Sequence, residues 1–174
     1  MLRLAKSIET LGVEVVRFNF DYREKGSKRP DPMPSLQQQL RHAAESSRKA
    51  GTRLLLGGRS MGGRAASMLV ADGYACDGLI LAAYPLHPAG QPEKLRDAQL
   101  AAIRVPVLCL NGTRDTLCER ALMEKVLARL GASWTMHWLE GADHSFNVLK
   151  SSGRTAADVD AEAGAAAGRW LESL

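Results

Sequence analysis

Cysteines are few in this sequence, and none forms a CxxC pair. The three present are Cys76, Cys109 and Cys118. An odd number at these spacings argues against a disulfide framework and a zinc knuckle, so we expect reduced structural thiols and no bound metal. Aromatic residues are also scarce, with three each of Trp, Tyr and Phe. This leaves little capacity for stacking on nucleic-acid bases.

The sequence also lacks a long uncharged apolar run and a strong net charge. No segment approaches the roughly 18 apolar residues of a membrane span, and Arg3 and Lys6 interrupt what would be the apolar part of a signal peptide. We therefore expect a cytoplasmic protein without membrane contact. The excess of 23 basic over 19 acidic residues is spread along the chain, so no nucleic-acid partner is expected.

Nucleotide-binding signatures are missing as well, since neither G-x-G-x-x-G nor a P-loop lysine motif occurs. What is present is a length of 174 residues and a balance of 45% hydrophobic to 24% charged residues. These values are typical of one globular domain. We expect that domain to span residues 1–174.

Apolar runs alternate with helical segments along the chain. Five runs predict strands at about 13–20, 53–57, 78–83, 105–110 and 134–139. The inner runs are continuously apolar, as in strands that are buried on both faces. The expected fold class is α/β, with a mainly parallel sheet of about five strands and helices on both faces.

One short motif combines a nucleophile with suitable surroundings. Residues 58–62 read G-R-S-M-G, a G-x-S-x-G motif between a predicted buried strand and a predicted helix. In that context Ser60 is held on a sharp turn with its hydroxyl exposed, and backbone amides at the helix start face a developing oxyanion. The alternative is a glycine-rich turn whose serine only caps the helix.

A serine hydroxyl needs a base, and the base needs an orienting acid. Asp115 follows the strand predicted at 105–110, and His144 follows the one at 134–139. Both would lie at the same sheet edge as Ser60. The chain order Ser, Asp, His is that of nucleophile-elbow hydrolases.

Other residues compete for these roles. Asp115 also suits an Asx-type turn. Asp143 is a rival acid, although adjacent side chains on an extended segment point in opposite directions. His87 follows a strand and is a second candidate base, whereas His42 and His137 fall within a helix and a strand, where surface or packing roles are typical.

Three segments together resemble the signatures of a known family. They read G-R-S-M-G-G at 58–63, N-G-T-R-D at 111–115 and G-A-D-H-S-F at 141–146. The sequence resembles the α/β-hydrolase superfamily over nearly its whole length. Within it, the chain resembles the small, capless, dienelactone-hydrolase-like bacterial proteins, which are similar to the hydrolase-like subunit of the NSL histone-acetylation complex.

The resemblance implies that Ser60 is the nucleophile, Asp115 the acid, His144 the base and the Met61 amide one oxyanion donor. Dienelactone hydrolases proper use a cysteine nucleophile, so a serine argues against dienelactone as substrate. In this family an earlier strand ends in a His-Gly-rich loop that supplies a second oxyanion amide. No such strand is evident before Val13, so we expect either an N-terminally shortened form or direct pairing of the strands predicted at 13–20 and 53–57. An unfilled gap would leave strand edges open and favour homo-oligomers.

The expected function is that of a serine hydrolase acting on an ester or similar small acyl substrate through an acyl-enzyme, with no metal and no organic cofactor. Loops at 21–34 and 84–92 would line the cleft, where Arg29, Tyr84 and His87 are expected to contact substrate. A lost oxyanion donor typically costs about 10²- to 10³-fold in rate, so impaired activity is expected. The alternative is a hydrolase-like binding or scaffold protein with weak or no catalysis.

Overall fold

Helices and strands alternate along the chain. The computed structural model describes residues 2–174. Its strands are β1 (Leu55–Arg59), β2 (Gly78–Ala82), β3 (Val107–Gly112) and β4 (Trp134–Leu139). Its α-helices are α1 (Leu2–Glu9), α2 (Asp21–Glu24), α3 (Met33–Ser47), α4 (Met61–Ala71), α5 (Arg120–Leu127) and α6 (Ala156–Glu172).

The described strands form one parallel sheet in the order β1-β2-β3-β4. Parallel neighbours need crossover connections, and α4 and α5 lie in two of them. Ala82 pairs with both Arg59 and Leu110, and Leu139 pairs with Gly112. The carboxyl ends of the strands therefore lie at one edge of the sheet, where the loops that follow them meet.

Helices cover both faces of the sheet. Side chains of β2 alternate between two cores, with Leu79 and Leu81 in one and Ala82 in the other, as the strand pleat requires. The first core also holds the buried residues of α3, α4 and α5, and the second holds those of α1 and α6. The predicted α/β fold with a parallel sheet and helices on both faces is confirmed.

The predicted strand at 13–20 is wrong, and the described sheet has four strands rather than five. Residues 13–20 form neither strand nor helix, and Val16 and Phe18 are 59% and 41% exposed. β-branched and aromatic residues favour an extended backbone, but a strand also needs a neighbour that supplies ladder hydrogen bonds. Among the described residues β1 pairs with β2 alone, so segment 13–20 has no ladder partner.

Three features bear on the expected class of protein. Within residues 2–174, no helix has both the length and the apolar composition needed to cross a bilayer. The same residues hold no group of three or more His, Cys, Asp or Glu side chains arranged to bind a metal ion. Cys76, Cys109 and Cys118 are free thiols.

The start of α6 generates a stability prediction. Thr155 Oγ1 accepts the Asp158 N–H at 3.2 Å, and Asp158 Oδ2 accepts the Thr155 N–H at 2.7 Å. Because this capping box satisfies donors that the helix itself cannot, we expect Thr155→Ala to lower the free energy of unfolding by about 1 kcal/mol. Urea unfolding measures the change. Ser151→Ala is the control, because Ser151 is exposed and its hydroxyl makes no hydrogen bond among residues 2–174, and an equal loss in both variants would contradict the capping role.

Candidate active site

The serine motif forms a sharp turn between β1 and α4. Ser60 has φ 52° and ψ −115°, a costly conformation that persists only where the surrounding structure holds it. Its N–H donates to the Ala82 carbonyl at 2.9 Å, which ties the turn to the end of β2. A Cβ at Gly58 would lie 2.3 Å from the Gly62 carbonyl carbon, whereas one at Gly62 would meet nothing within 4 Å. Close backbone contact therefore requires the first glycine of the motif and not the second.

The amides next to Ser60 belong to the first turn of α4. Met61 is the first residue of that helix, and N–H groups of a first turn have no acceptor within their own helix. The Arg64 N–H, further along α4, donates to the Ser60 carbonyl at 3.0 Å. The Met61 amide and the positive end of the helix dipole therefore lie beside Ser60, where they favour negative charge.

The imidazole of His144 connects Ser60 to Asp115. Its Nε2 lies 2.9 Å from Ser60 Oγ, and its Nδ1 lies 2.8 Å from Asp115 Oδ2. An ionised carboxylate can only accept, so Nδ1 carries the proton, and the lone pair of Nε2 accepts the serine hydroxyl hydrogen. The His144 side chain is 25% exposed and that of Asp115 is fully buried. A partly exposed imidazole thus lies between the Ser60 hydroxyl and a buried carboxylate.

The loop around Asp115 satisfies both of its carboxylate oxygens. Oδ1 accepts the Leu117 N–H at 2.8 Å, and Oδ2, which receives His144, also lies 3.5 Å from Asn111 Nδ2. Asn111 is completely buried, and its amide bonds the Tyr84 N–H and carbonyl, both at 3.1 Å. Sequence reasoning missed Asn111. The sequence feature that could have indicated a role for Asn111 is an amide at the end of an otherwise apolar strand, directly before the loop that carries Asp115.

Asp143 organises the loop that carries His144. Its Oδ1 accepts the N–H groups of Ser145 at 2.7 Å and Asn147 at 2.9 Å. Its own N–H donates to the Asn147 carbonyl at 2.8 Å. Oδ1 of Asp143 therefore bonds backbone donors of its own loop, while the ring N–H of His144 bonds Asp115.

The loop that carries Asp115 and the loop that carries His144 make close contact at Gly112. A Cβ at Gly112 would lie 2.1 Å from the Ala142 carbonyl oxygen, so a side chain at this position would force the two loops apart. Nearby, Thr113 Oγ1 accepts the Gly141 N–H at 2.9 Å. These contacts keep the two loops close enough for Asp115 to reach His144.

Tyr84 presents no polar group to a substrate, and the prediction is corrected. The side chain is completely buried. Its hydroxyl donates to the Arg96 carbonyl at 2.6 Å and accepts from Gln99 Nε2 at 2.7 Å. Burial raises the pKa of Tyr84 to about 12, so the phenol stays protonated. The prediction failed because the loop after β2 first turns into the core.

His87 is likewise buried, with 1% of its surface exposed, which corrects its predicted substrate contact. Nε2 lies 3.1 Å from the Glu119 nitrogen, and Nδ1 lies 3.0 Å from the Pro88 carbonyl oxygen. Because the backbone N–H must donate and the carbonyl must accept, Nε2 acts as the acceptor and Nδ1 as the donor. The His87 N–H also donates to the Leu117 carbonyl at 3.1 Å. Both ring nitrogens are occupied, so His87 supports the start of α5.

Arg29 lies on the surface of the loop before α3. Its backbone N–H donates to Ser27 Oγ at 3.1 Å. Its guanidinium makes no hydrogen bond or ion pair with any residue in the described part of the chain. The structure does not bring Arg29 into contact with Ser60, and its substrate role stays a prediction.

Two of the three thiols are buried in an environment that disfavours their ionised form. Cys109 and Cys118 are free and buried. Burial raises the pKa of both thiols, that of Cys118 to about 12. Both are therefore protonated at neutral pH, whereas a reactive cysteine needs its thiolate form.

Several solved structures share this fold. A serine hydrolase without a lid from Xanthomonas campestris has a TM-score of 0.72 at 23% identity, covering 97% of this chain and 72% of that one. An esterase domain from Rhodothermus marinus has a TM-score of 0.70 at 17% identity, covering 99% and 78%. A serine hydrolase homologue from Coxiella burnetii has a TM-score of 0.70 at 23% identity, covering 94% and 74%.

The family comparison covers almost all of the chain. Residues 1–172 match the family model for the α/β-hydrolase domain. This match confirms the superfamily that the three motifs indicated and supports hydrolase activity, while the closer likeness to the NSL-complex subunit stays a prediction. With this match, its parallel sheet and the sharp turn at Ser60, the chain belongs to the α/β-hydrolase family.

Proposed function

We propose that this protein is a serine hydrolase that cleaves esters or similar small acyl compounds. The observation that carries the proposal is the hydrogen-bond chain from Asp115 through His144 to Ser60, with distances of 2.8 and 2.9 Å. It ends on a strained turn at the start of a helix. A nucleophile, a base and an orienting acid in this order support acyl transfer through a covalent intermediate.

The first half of the proposed reaction forms an acyl-enzyme. Ser60 Oγ attacks the substrate carbonyl carbon while His144 Nε2 takes the hydroxyl proton, and the Met61 N–H stabilises the resulting oxyanion. Asp115 stabilises the imidazolium through the Nδ1 hydrogen bond. The bond from the carbonyl carbon to the leaving oxygen then breaks, and His144 gives that oxygen the proton.

The second half of the reaction releases the acid. Water attacks the acyl carbon as His144 Nε2 takes one of its protons. The bond to Ser60 Oγ then breaks, and the same proton returns to the serine oxygen. His144 thus takes up one proton and gives it back in each half of the cycle, so the enzyme returns to its starting protonation state.

Two observations support a small ester as substrate. Ser60 and His144 are both partly exposed, so a small acyl compound can reach them. One of the similar structures is an esterase domain. We therefore propose a small acyl compound as the partner of this site. We also propose that the protein acts in the cytoplasm.

Ser60→Ala tests the nucleophile. We expect it to abolish labelling by a fluorophosphonate probe and turnover of p-nitrophenyl acetate, because the Ser60 hydroxyl is the one bonded to His144. Ser67→Ala removes a buried hydroxyl from the same helix and, as the control, is expected to be labelled like wild type. A labelled Ser60→Ala chain would refute the assignment, and an unlabelled wild type would favour a binding or scaffold role.

Substitution by asparagine distinguishes Asp115 from Asp143 as the acid that orients His144. Asp115→Asn is expected to lower kcat about 10⁴-fold, because an amide does not hold the required tautomer of His144. Asp143→Asn keeps an Oδ1 acceptor for Ser145 and Asn147, so we expect a loss within about tenfold, the effect of one weakened hydrogen bond. Steady-state hydrolysis of p-nitrophenyl acetate measures both, and the reverse ranking would reassign the acid.

His87 and His144 are expected to affect different quantities. His87→Gln retains an acceptor for the Glu119 N–H, so its kcat should stay close to wild type. His87→Leu leaves that N–H without its acceptor and should lower the free energy of unfolding by about 1–3 kcal/mol. His144→Ala should lower kcat nearly as much as Ser60→Ala, since triad residues act as a unit. Urea unfolding and ester turnover separate the two, and an active His144→Ala beside an inactive His87→Gln would reassign the base.

A further inference from the structure

Arg59 directly precedes Ser60, and its guanidinium reaches the main chain of His144. Nη2 donates to the His144 carbonyl oxygen at 2.6 Å. The G-x-S-x-G motif requires no particular side chain at this position. Consecutive residues at the end of β1 therefore make two different contacts with His144: the Ser60 hydroxyl meets its ring, and the Arg59 guanidinium meets its backbone.

The same guanidinium packs on the loop beyond His144. The Cζ of Arg59 lies 5.8 Å from the centroid of the Phe146 ring, within the range of a cation–π interaction. Phe146 is buried and has φ 62°. This conformation is costly for an aromatic residue, so the surrounding structure must hold it. Arg59 thus contacts the loop both at His144 and at its strained residue.

The partial burial of Arg59 is itself costly. Its Nε is buried and has no hydrogen-bond partner among residues 2–174, a cost that an apolar residue at this position would avoid. A second arginine contacts the same loop: Nη1 of Arg114 donates to the Gly141 carbonyl at 3.1 Å. Arg114 is exposed, and its bond lies three residues before His144. It provides a natural comparison for Arg59.

We propose that Arg59 is a positioning residue that fixes the His144 main chain, so that the ring stays within reach of both Ser60 and Asp115. The role rests on the proposed function, because it requires His144 to be the base. A misplacement of about 1 Å can cost about 10²-fold in rate. Since Arg59 bonds the backbone of the base, its loss should lower kcat and leave KM almost unchanged.

The test compares Arg59→Met, which keeps much of the side-chain volume, with Arg114→Met as the matched control. The measurements are the rate of fluorophosphonate labelling at Ser60, kcat and KM for p-nitrophenyl acetate, and Tm. We expect Arg59→Met to lower the labelling rate and kcat about 10- to 100-fold. KM should change less than about twofold. Arg114→Met should label like wild type.

Rescue by a conservative substitution and rescue by an added guanidinium compound distinguish a role in positioning His144 from a role in the stability of the fold. Arg59→Lys keeps a cationic donor and should recover part of kcat. Arg59→Ala should be accelerated by methylguanidinium at concentrations that do not unfold the protein, whereas wild type should not. A residue needed only for stability would lower Tm without these effects on the folded enzyme.

The outcomes distinguish the two proposals. Labelling of Arg59→Met at the wild-type rate overturns the positioning role and leaves the proposed function intact. A folded wild type that is not labelled at Ser60 overturns the proposed function and the role of Arg59 with it. If Arg59→Met does not fold, Arg59→Ala decides: unchanged kcat on addition of methylguanidinium overturns the positioning role.

Discussion

The imidazole of His144 bonds an oxygen at each of its two nitrogens, and this arrangement depends on where three strands end. Ser60, Asp115 and His144 lie in the connections after β1, β3 and β4. Parallel strands in register end at one edge of the sheet, so residues far apart in sequence meet there. The hydrogen bonds from the imidazole nitrogens, 2.9 Å to Ser60 Oγ and 2.8 Å to Asp115 Oδ2, leave little tolerance for movement of any of these loops.

Close backbone contacts and buried polar groups supply the required rigidity. Gly58 and Gly112 allow close backbone contacts that a Cβ would block. The contact at Gly58 lies inside the turn at Ser60, and the contact at Gly112 lies between the loops that carry Asp115 and His144. Asn111 and His87, both buried, use their side-chain polar atoms on backbone groups of neighbouring loops. In a low-dielectric interior such satisfied networks hold one arrangement, because any alternative leaves a polar group unpaired. The strain at Ser60 is tolerated within that framework.

Much of this arrangement could be predicted from local sequence. The four observed strands overlap predicted apolar runs. The rule that a strand covered on both faces is apolar throughout explains β2, which is buried along most of its length. The turn at Ser60 was readable because glycine at position 58 reflects a steric need. The order of Ser60, Asp115 and His144, each after a strand, indicated a common edge once the sheet was taken to be parallel.

The remaining features depended on the path of the chain in space. Segment 13–20 has the composition of a strand, but pairing requires a neighbour, which composition does not contain. Tyr84 and His87 follow a strand as a substrate-binding residue would, yet the loop turns them into the core. The contact of Arg59 with His144 joins positions that no local pattern relates. The sequence by itself determined the fold class, the inner strands and the three residues that meet, because these follow from periodicity and backbone sterics. Tertiary structure decided which neighbouring side chains face the site, because that depends on packing between distant segments.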